Sequence, residues 1–240
     1  MLVTVLKVVF SDRLNNFYIM IRVIVLCSKA NCIMFQTKLI RLRSIIPQPV
    51  KKLLRLFKLY HEHVYVAPEL PQRQLVNCKV FQNRLKLICS ITSKNTVAAE
   101  VGVLHGDFSN QVLVNTQVAS LTLIDVDTSK IMSNVNSDKR VTIFEGLSND
   151  FTQNVLFDWI YIDGDHSYSG VTNDIKHFQE LLKPGGYLVF NDYCKINPRS
   201  LGRFGVHDAV NDFIANSGWD VYALALQPNC LYDIAIQKPT

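Results

Sequence analysis

Residues 158–193 read DWIYIDGDHSYSGVTNDIKHFQELLKPGGYLVFNDY. Two apolar runs, 159–162 and 187–190, each end in polar residues: Asp163-Gly164-Asp165-His166 after the first, Asn191-Asp192 after the second. Both runs are short and rich in β-branched and aromatic residues, as expected of strands buried on both faces. Between them, residues 169–182 carry Val171, Ile175, Phe178, Leu181 and Leu182 at helical spacing, and Lys183-Pro184-Gly185-Gly186 stops the pattern. Strand–helix–strand implies parallel pairing. Right-handed crossovers place both carboxyl ends on one edge of the sheet, where ligands of open α/β sheets bind. The polar residues therefore converge on one site.

The 240 residues suit one globular domain with an appendage, and 48% hydrophobic content supplies a large core. The six cysteines, Cys27, Cys32, Cys78, Cys89, Cys194 and Cys230, form no CxxC pair. They read as reduced thiols in a cytoplasmic chain, without zinc-ligand spacing. The net charge of +5 is uneven: residues 1–60 hold 11 Lys/Arg and one acid, Asp12, whereas residues 61–240 hold 14 Lys/Arg and 19 Asp/Glu. The acidic body, with no aromatic-basic strip, argues against a nucleic-acid partner.

Residues 1–75 read as a basic, apolar extension and linker, and residues 76–240 as the main domain. The apolar runs in 1–33 fall short of the ~20 residues a spanning helix needs, and an alternative start at Met34 would make 1–33 non-native. Residues 38–60 read as basic amphipathic helix broken at Pro47 and Pro49, with Lys51, Lys52, Arg55 and Lys58 among leucines. A cationic face packed on the domain is the preferred reading, and peripheral contact with anionic lipid is the alternative. His61 and His63 fall in the linker. Residues 81–91 read as a helix entering the core domain.

From residue 96 strands and helices alternate. Strands are expected at 96–101, 120–125, 140–144, 157–162, 186–191, 219–226 and 231–237, with helices near 108–115, 129–135, 169–182 and 206–216. This is a doubly wound α/β fold with a mostly parallel sheet of about seven strands. Only Gln227-Pro228-Asn229-Cys230 separates the last two strands, too short for a parallel crossover, so the last strand is expected to be antiparallel.

EVGVLHGDFS, residues 100–109, follows the first of these strands and opens a helix. Gly102 and Gly106 permit a tight turn and close ligand approach, the helix start offers free N–H groups, and Ser109 could add a hydroxyl. The spacing is not the GxGxxG of dinucleotide binders. Glu100 at the strand end favours a ligand carrying an amine and a sulfonium over a pyrophosphate. Asp125 closes the second strand, placed to accept from ribose hydroxyls, with Asp127 solvated. Gly146 and Ser148, after the third strand, form a polar edge for an adenine ring.

At the other end, Asp163, Asn191 and Asp192 are hard oxygen ligands suited to Mg2+, which would lower the pKa of a substrate hydroxyl. An imidazole is the side chain suited to general-base work near neutral pH, and His166 is placed to act as general base, with Asp163 beside it; a loop histidine satisfied by backbone is its alternative. Asp165 could cap the following turn, and Asn191-Asp192 could be a turn alone. His105 reads as structural or cofactor-adjacent, His177 and His207 as surface groups, and Lys195 and Arg199 as solvated or substrate-facing. No GxSxG, HExxH or P-loop is present.

EVGVLHGDFS, LIDVD, FDWIYIDGDHSYSGVTNDI, LLKPGGYLVFNDY and FGVHDAVNDF together resemble the class I S-adenosylmethionine-dependent methyltransferases, in particular methyltransferase domain family 24, over about residues 78–237. The resemblance implies that Glu100, Gly102, Gly106, Ser109 and Asp125 hold the methionine and ribose parts of S-adenosyl-L-methionine. It also implies that Asp163 and Asp192, with Asn191, hold a divalent metal, and that His166 is the base. Relatives with a firm metal site often carry an acidic pair where this chain has Asn191-Asp192. The basic extension has no counterpart in the family.

The expectation is a methyltransferase acting on an oxygen of a small molecule or sugar, with a homo-oligomer an open alternative. Two rivals come from other classes: a cofactor-binding module of the same fold without catalysis, and an NAD or nucleotide-sugar oxidoreductase.

Overall fold

The apolar runs form strands because residues on both faces find a core. The structure, a computed structural model, describes residues 66–198, 202–228 and 230–240. The basic extension, the helices expected at 38–60, His61, His63 and Arg199 lie outside those residues. In β5 (Phe157–Ile162), Ile160 and Ile162 enter one hydrophobic cluster and Trp159 and Tyr161 the other, on the opposite face of the sheet. Each of these four side chains is at most 4% exposed. Such a strand cannot alternate polar and apolar residues, which is why it reads as a continuous apolar run.

Eight strands make one sheet. They are β1 (Lys79–Phe81), β2 (Val97–Val101), β3 (Ser120–Asp125), β4 (Val141–Glu145), β5, β6 (Leu182–Phe190), β7 (Asp220–Ala225) and β8 (Asp233–Gln237). Their order across the sheet is β1-β7-β8-β6-β5-β2-β3-β4. All neighbours are parallel except β8, which runs antiparallel between β6 and β7. The seven expected strands are present. The eighth, β1, precedes the helix expected at 81–91, overlaps it only at Phe81, and pairs with β7.

Among the described residues, five α-helices cover the two faces. Helix α1 (Arg84–Ile91) and α2 (Asp107–Asn115) bury Leu87, Ile88, Phe108, Val112 and Leu113 in one cluster, joined by Val135 from the single turn α3 (Ser133–Asn136). On the other face, α4 (Tyr168–Phe178) contributes Val171, Ile175 and Phe178, and α5 (Val206–Ser217) contributes Val210 and Ile214. Helix α4 ends at Phe178, earlier than its apolar spacing suggests. Lys183-Pro184-Gly185-Gly186 is not its stop but the start of β6, where Leu182 pairs with Phe157.

After β2 the chain moves outward to β3 and β4, then returns to place β5 on the other side of β2. The carboxyl ends of β2 and β5 therefore flank the point where the winding reverses, and loops leaving in opposite directions open a cleft there. Hydrogen bonds continue one residue past the strands: Gly102 N donates to Ile124 O at 2.9 Å, Asp163 N to Val101 O at 2.7 Å, and Asn191 N to Ile162 O at 3.0 Å. Gly102 has φ +83°, and a Cβ there would overlap the Asp163 carbonyl. Only glycine meets both demands at once.

Gly102→Ala is expected to destabilise the fold by about 2 kcal/mol or more, because a left-handed backbone and a backbone collision must both be relieved. Urea unfolding followed by circular dichroism measures this; an unchanged midpoint would refute the close approach.

Candidate active site

A cleft of about 720 Å³ lies over the carboxyl ends of β2, β3, β4 and β5. Its walls come from the glycine loop, Asp125-Val126, residues 146–149, residues 163–165 and the first turns of α4. Glu100, Gly102, Asp125, Gly146, Ser148 and Asp163, each singled out in the sequence, all reach it.

Gly106, at φ +80°, is the N-cap of α2, and its carbonyl accepts from Asn110 N at 2.8 Å. Asp125 ties the glycine loop to β3. Its Oδ2 accepts from Val103 N at 2.6 Å and Leu104 N at 2.9 Å, and its Oδ1 from Asp127 N at 3.0 Å. Partial burial pushes its pKa up, but these backbone donors outweigh that and hold the carboxyl below the usual range, so it is ionised. A carboxylate has about four lone-pair sites, so Asp125 braces the loop and keeps capacity for a ligand hydroxyl. Asp127 is exposed, as expected, and pairs with Lys130 at 2.5 Å.

Ser109 is a correction. It is fully buried behind the cleft, and its hydroxyl donates to Glu100 Oε2 at 2.6 Å, so it orients the acid instead of touching a ligand. Glu100 is 2% exposed. Burial pushes its pKa up to about 8 against the pull of the Ser109 hydroxyl, with the Asp163 charge adding to the rise and Arg84 opposing it. A ligand cation would reverse the balance and ionise Glu100.

At the ends of β5 and β6, Asp163 Oδ1 accepts from Asn191 Nδ2 at 2.6 Å. Burial raises the Asp163 pKa to about 6, against that hydrogen bond and the charges of His166 and Arg84. His166 Nδ1 lies 3.0 Å from the Gly164 carbonyl, so Nδ1 donates there and Nε2 is an acceptor when the ring is neutral. Nε2 is buried without a hydrogen-bond partner, 3.6 Å from Asp163 Oδ1 and 3.5 Å from Asp192 Oδ2. Asp192 takes a left-handed backbone at φ +54°, strain of the kind found at functional sites. The segment before α5 folds over this corner: Phe204 stacks on the His166 ring at 4.5 Å, and Gly205 N donates to His166 O at 2.7 Å.

The expected metal ligands are thus adjacent. Asn191 turns its N–H toward Asp163, and among the described residues no group of three His, Cys, Asp or Glu is gathered for coordination.

The remaining candidates sort by contact. Asp165 is a local cap: its Oδ1 and Oδ2 accept from Ser167 N and Oγ at 2.9 and 2.8 Å. His105 is exposed and lines the cleft, and its carbonyl accepts from Met132 N. His177 is not a solvated group, since its Nε2 meets the Phe151 carbonyl at 2.9 Å. His207 is half-buried, stacked on Tyr193 and 3.0 Å from Asp208. Lys195 pairs with the same buried Asp208 at 3.2 Å.

The sequence reading missed Arg84. Its guanidinium lies over the Phe108 ring at 4.4 Å, donates to Tyr161 Oη at 3.3 Å and stands 4.0 Å from Asp163. Tyr161 in turn donates to buried Asp233 at 2.7 Å, whose pKa burial lifts to about 7. Also missed were Val126 and Leu147, 65% and 61% exposed at the rim of the cleft, and buried Asp174 in its wall. Asp174 had a readable signal: it sits three residues after Val171 and four before Phe178, an acid on the apolar stripe of α4.

The site thus combines an open α/β sheet whose one antiparallel strand, β8, is third in order, a glycine loop backed by a buried acid, and an Asp at the end of β3. Comparison with known proteins agrees: residues 99–193 match the family model of a methyltransferase domain, family 24 of that name. That part of the chain is similar to a methyltransferase domain. An uncharacterised protein of Acanthamoeba polyphaga mimivirus is 47% identical over 36 residues, a match spanning 15% of this chain and 16% of that protein. Among solved structures, the N-methyltransferase NodS of Bradyrhizobium japonicum in complex with S-adenosyl-L-homocysteine superposes with a TM-score of 0.52 at 15% identity, covering 72% of this chain and 94% of that one. An O-methyltransferase family protein of Burkholderia thailandensis gives a TM-score of 0.52 at 16% identity over 65% of this chain and 55% of that one. At such identities these structures attest the fold alone. Among the described residues no helix is long and apolar enough to cross a membrane.

Three buried carboxyls with raised pKa, Glu100, Asp233 and Asp163, make stability depend on pH. Between the ordinary carboxyl pKa and the raised one, the folded state keeps a proton that the unfolded chain has lost, so stability falls as pH rises from about 5 to 8. Glu100→Gln removes the largest of these costs. Its stability at pH 8 is expected to exceed that of the wild type by about 3 kcal/mol, with no gain at pH 4. Urea titrations at the two pH values measure this, and parallel pH profiles would contradict the buried, protonated state.

Proposed function

We propose that the protein transfers the methyl group of S-adenosyl-L-methionine to an oxygen of a small molecule or sugar. One observation carries the O-directed part: the buried, unpartnered Nε2 of His166 between two carboxylates. A buried acceptor without a donor is costly, and an acceptor hydroxyl seated there would satisfy it. The cofactor part is supported by the match to the methyltransferase domain and by the cleft chemistry. Glu100 suits the ammonium and sulfonium charges, Asp125 the ribose hydroxyls, and the exposed Val126 and Leu147 the two faces of a purine. The NodS structure, of the same fold, holds S-adenosyl-L-homocysteine.

The bound cofactor supplies an electrophilic methyl group. The chain does the rest by position and proton transfer. The glycine loop, fixed by Asp125 and Asp163, presents the cofactor along the sheet edge. His166 Nε2 takes the proton from the acceptor hydroxyl as its oxygen attacks in line. Asp163 and Asp192 then face the imidazolium and stabilise it, while Nδ1–H, held on Gly164 O, keeps the ring oriented. Phe204 packs against the ring with centroids 4.5 Å apart and helps hold it in place.

Calorimetric titration of the wild type is expected to show micromolar binding of S-adenosylmethionine and none of NAD. Below pH 8 free Glu100 is protonated, so a cationic cofactor expels the proton and affinity rises with pH toward about 8. Titrations at pH 7 in phosphate and in Tris are expected to differ by up to one released proton, a difference lost in Glu100→Gln. Binding of NAD, or of neither ligand, overturns the assignment.

His166→Ala is expected to retain cofactor affinity within about threefold and to lose 10²- to 10⁴-fold in turnover, roughly the contribution of a general base. Turnover is scored on a panel of hydroxylated acceptors with radiolabelled methyl donor. Undiminished turnover in this variant would remove His166 from the mechanism.

A further inference from the structure

From the cleft wall a chain of polar groups runs into the interior, and the mechanism above does not use it. It starts at Asp233, the first residue of β8, which the antiparallel course of that strand brings to the edge of the sheet where β5 and β6 end. Asp233 is fully buried, and so is Tyr161, within the cluster under α1 and α2. Tyr161 Oη donates to Asp233 Oδ2 at 2.7 Å and accepts from Arg84 Nη1 at 3.3 Å. Among the described residues, Arg84 is the one Lys or Arg that lines the cleft. It opens α1, where a cation opposes the helix dipole, so the helix does not explain its place. Its guanidinium rests on the Phe108 ring and stops 4.0 Å short of Asp163 Oδ2. The other oxygen, Oδ1, faces His166 Nε2. A guanidinium beside a carboxylate ordinarily closes to about 2.7–2.9 Å, often with two parallel hydrogen bonds. Here it takes a neutral phenol instead. By donating to a carboxyl, Tyr161 becomes a stronger acceptor, and that hold, with the aromatic ring beneath, keeps Arg84 back.

We propose that Tyr161 and Asp233 are positioning residues for the transfer: they tether Arg84 away from Asp163, so that this carboxylate stays turned on His166 and stabilises the imidazolium formed when the acceptor gives up its proton. The inference rests on the general-base role given to His166 above. Neither Tyr161 nor Asp233 lines the cleft, so both act through Arg84. Loss of the phenol hydroxyl frees the guanidinium to close on Asp163 and share its charge, and the imidazolium loses part of its counter-ion. Cofactor binding changes little, because Glu100 keeps Ser109 and Asp125 keeps the glycine loop. The signature is a fall in kcat with cofactor affinity preserved. Were the chain only a strut of the core, its loss would lower stability and leave kcat in place.

The test uses Tyr161→Phe, which removes one oxygen and keeps the ring in the core. On the panel of hydroxylated acceptors kcat is expected to fall about 10-fold, the range of one hydrogen bond to a charged group, with the Kd for S-adenosylmethionine within about threefold of wild type. In an Arg84→Met background the same substitution is expected to change kcat by less than about twofold, because its intermediary is gone. Asp233→Asn, whose amide oxygen still accepts from the phenol but without the charge, is expected to lose about threefold in kcat, and it serves should Tyr161→Phe not melt cooperatively. A crystal structure of Tyr161→Phe is expected to show the guanidinium at hydrogen-bond distance from Asp163. Wild-type kcat in the folded variants, equal losses with and without Arg84, or a guanidinium that has not moved each overturns the positioning role and leaves the proposed reaction standing. If the wild type methylates no acceptor, the proposed reaction fails and the role in transfer with it, whereas the crystal structure still tells whether Tyr161 holds Arg84 off Asp163.

Discussion

Between the loop that follows β2 and the loop that follows β5 there is no room for a side chain. Gly102 fills that place in a left-handed conformation, its backbone against that of Asp163. The rest of the site is built outward from this contact. It lets the strand ladder run one residue further, so that Gly102, Asp163 and Asn191 are each fixed by a main-chain hydrogen bond from the neighbouring strand. The amides of Val103 and Leu104 are then turned onto Asp125. Asp163 is held with its carboxyl between Asn191, Arg84 and His166. The groups that would meet a ligand are thereby set before it arrives, which lowers the ordering cost of binding.

The electrostatics follow from the same crowding. Glu100, Asp163 and Asp233 approach one edge of the sheet from three strands, with Arg84 as the cation among them. Burial without enough counter-charge lifts the pKa of each. An interior designed for stability alone would replace such groups with packed apolar residues. Retaining them makes the empty cleft electron-rich and receptive to a cation.

Much of this was readable from residue order. The buried strands β2, β3 and β5 are continuous apolar runs, and a polar residue at the end of such a run has few places to go but the carboxyl edge of the sheet. The positions of Glu100, Asp125, Asp163 and Asp192 followed from that. Strand β1 was not readable, because three residues at a sheet edge, Lys79-Val80-Phe81, with two exposed, carry no periodicity. The start of β6 was misread because Pro184 and two glycines look like a stop, and here they are tolerated in a strand end. The buried state of Ser109 and the Arg84–Tyr161–Asp233 chain were hidden for a different reason. They join residues 9, 77 and 72 positions apart, and no local spacing reports a contact of that kind. Asp174 lay in between: its place on the apolar stripe was visible, while its partner Ser148 was not.

Strand β8 has an effect on how the sheet comes together. It is the last described strand along the chain, yet it lies in the interior of the sheet, hydrogen-bonded to β6 on one side and β7 on the other. A nascent chain that has emerged only as far as β7 has a gap there, with two strand edges exposed and the half-built sheet in two parts. Those open edges can pair wrongly with another chain. Closure of the sheet must wait for residues 233–237, so folding is expected to be late and concerted during synthesis.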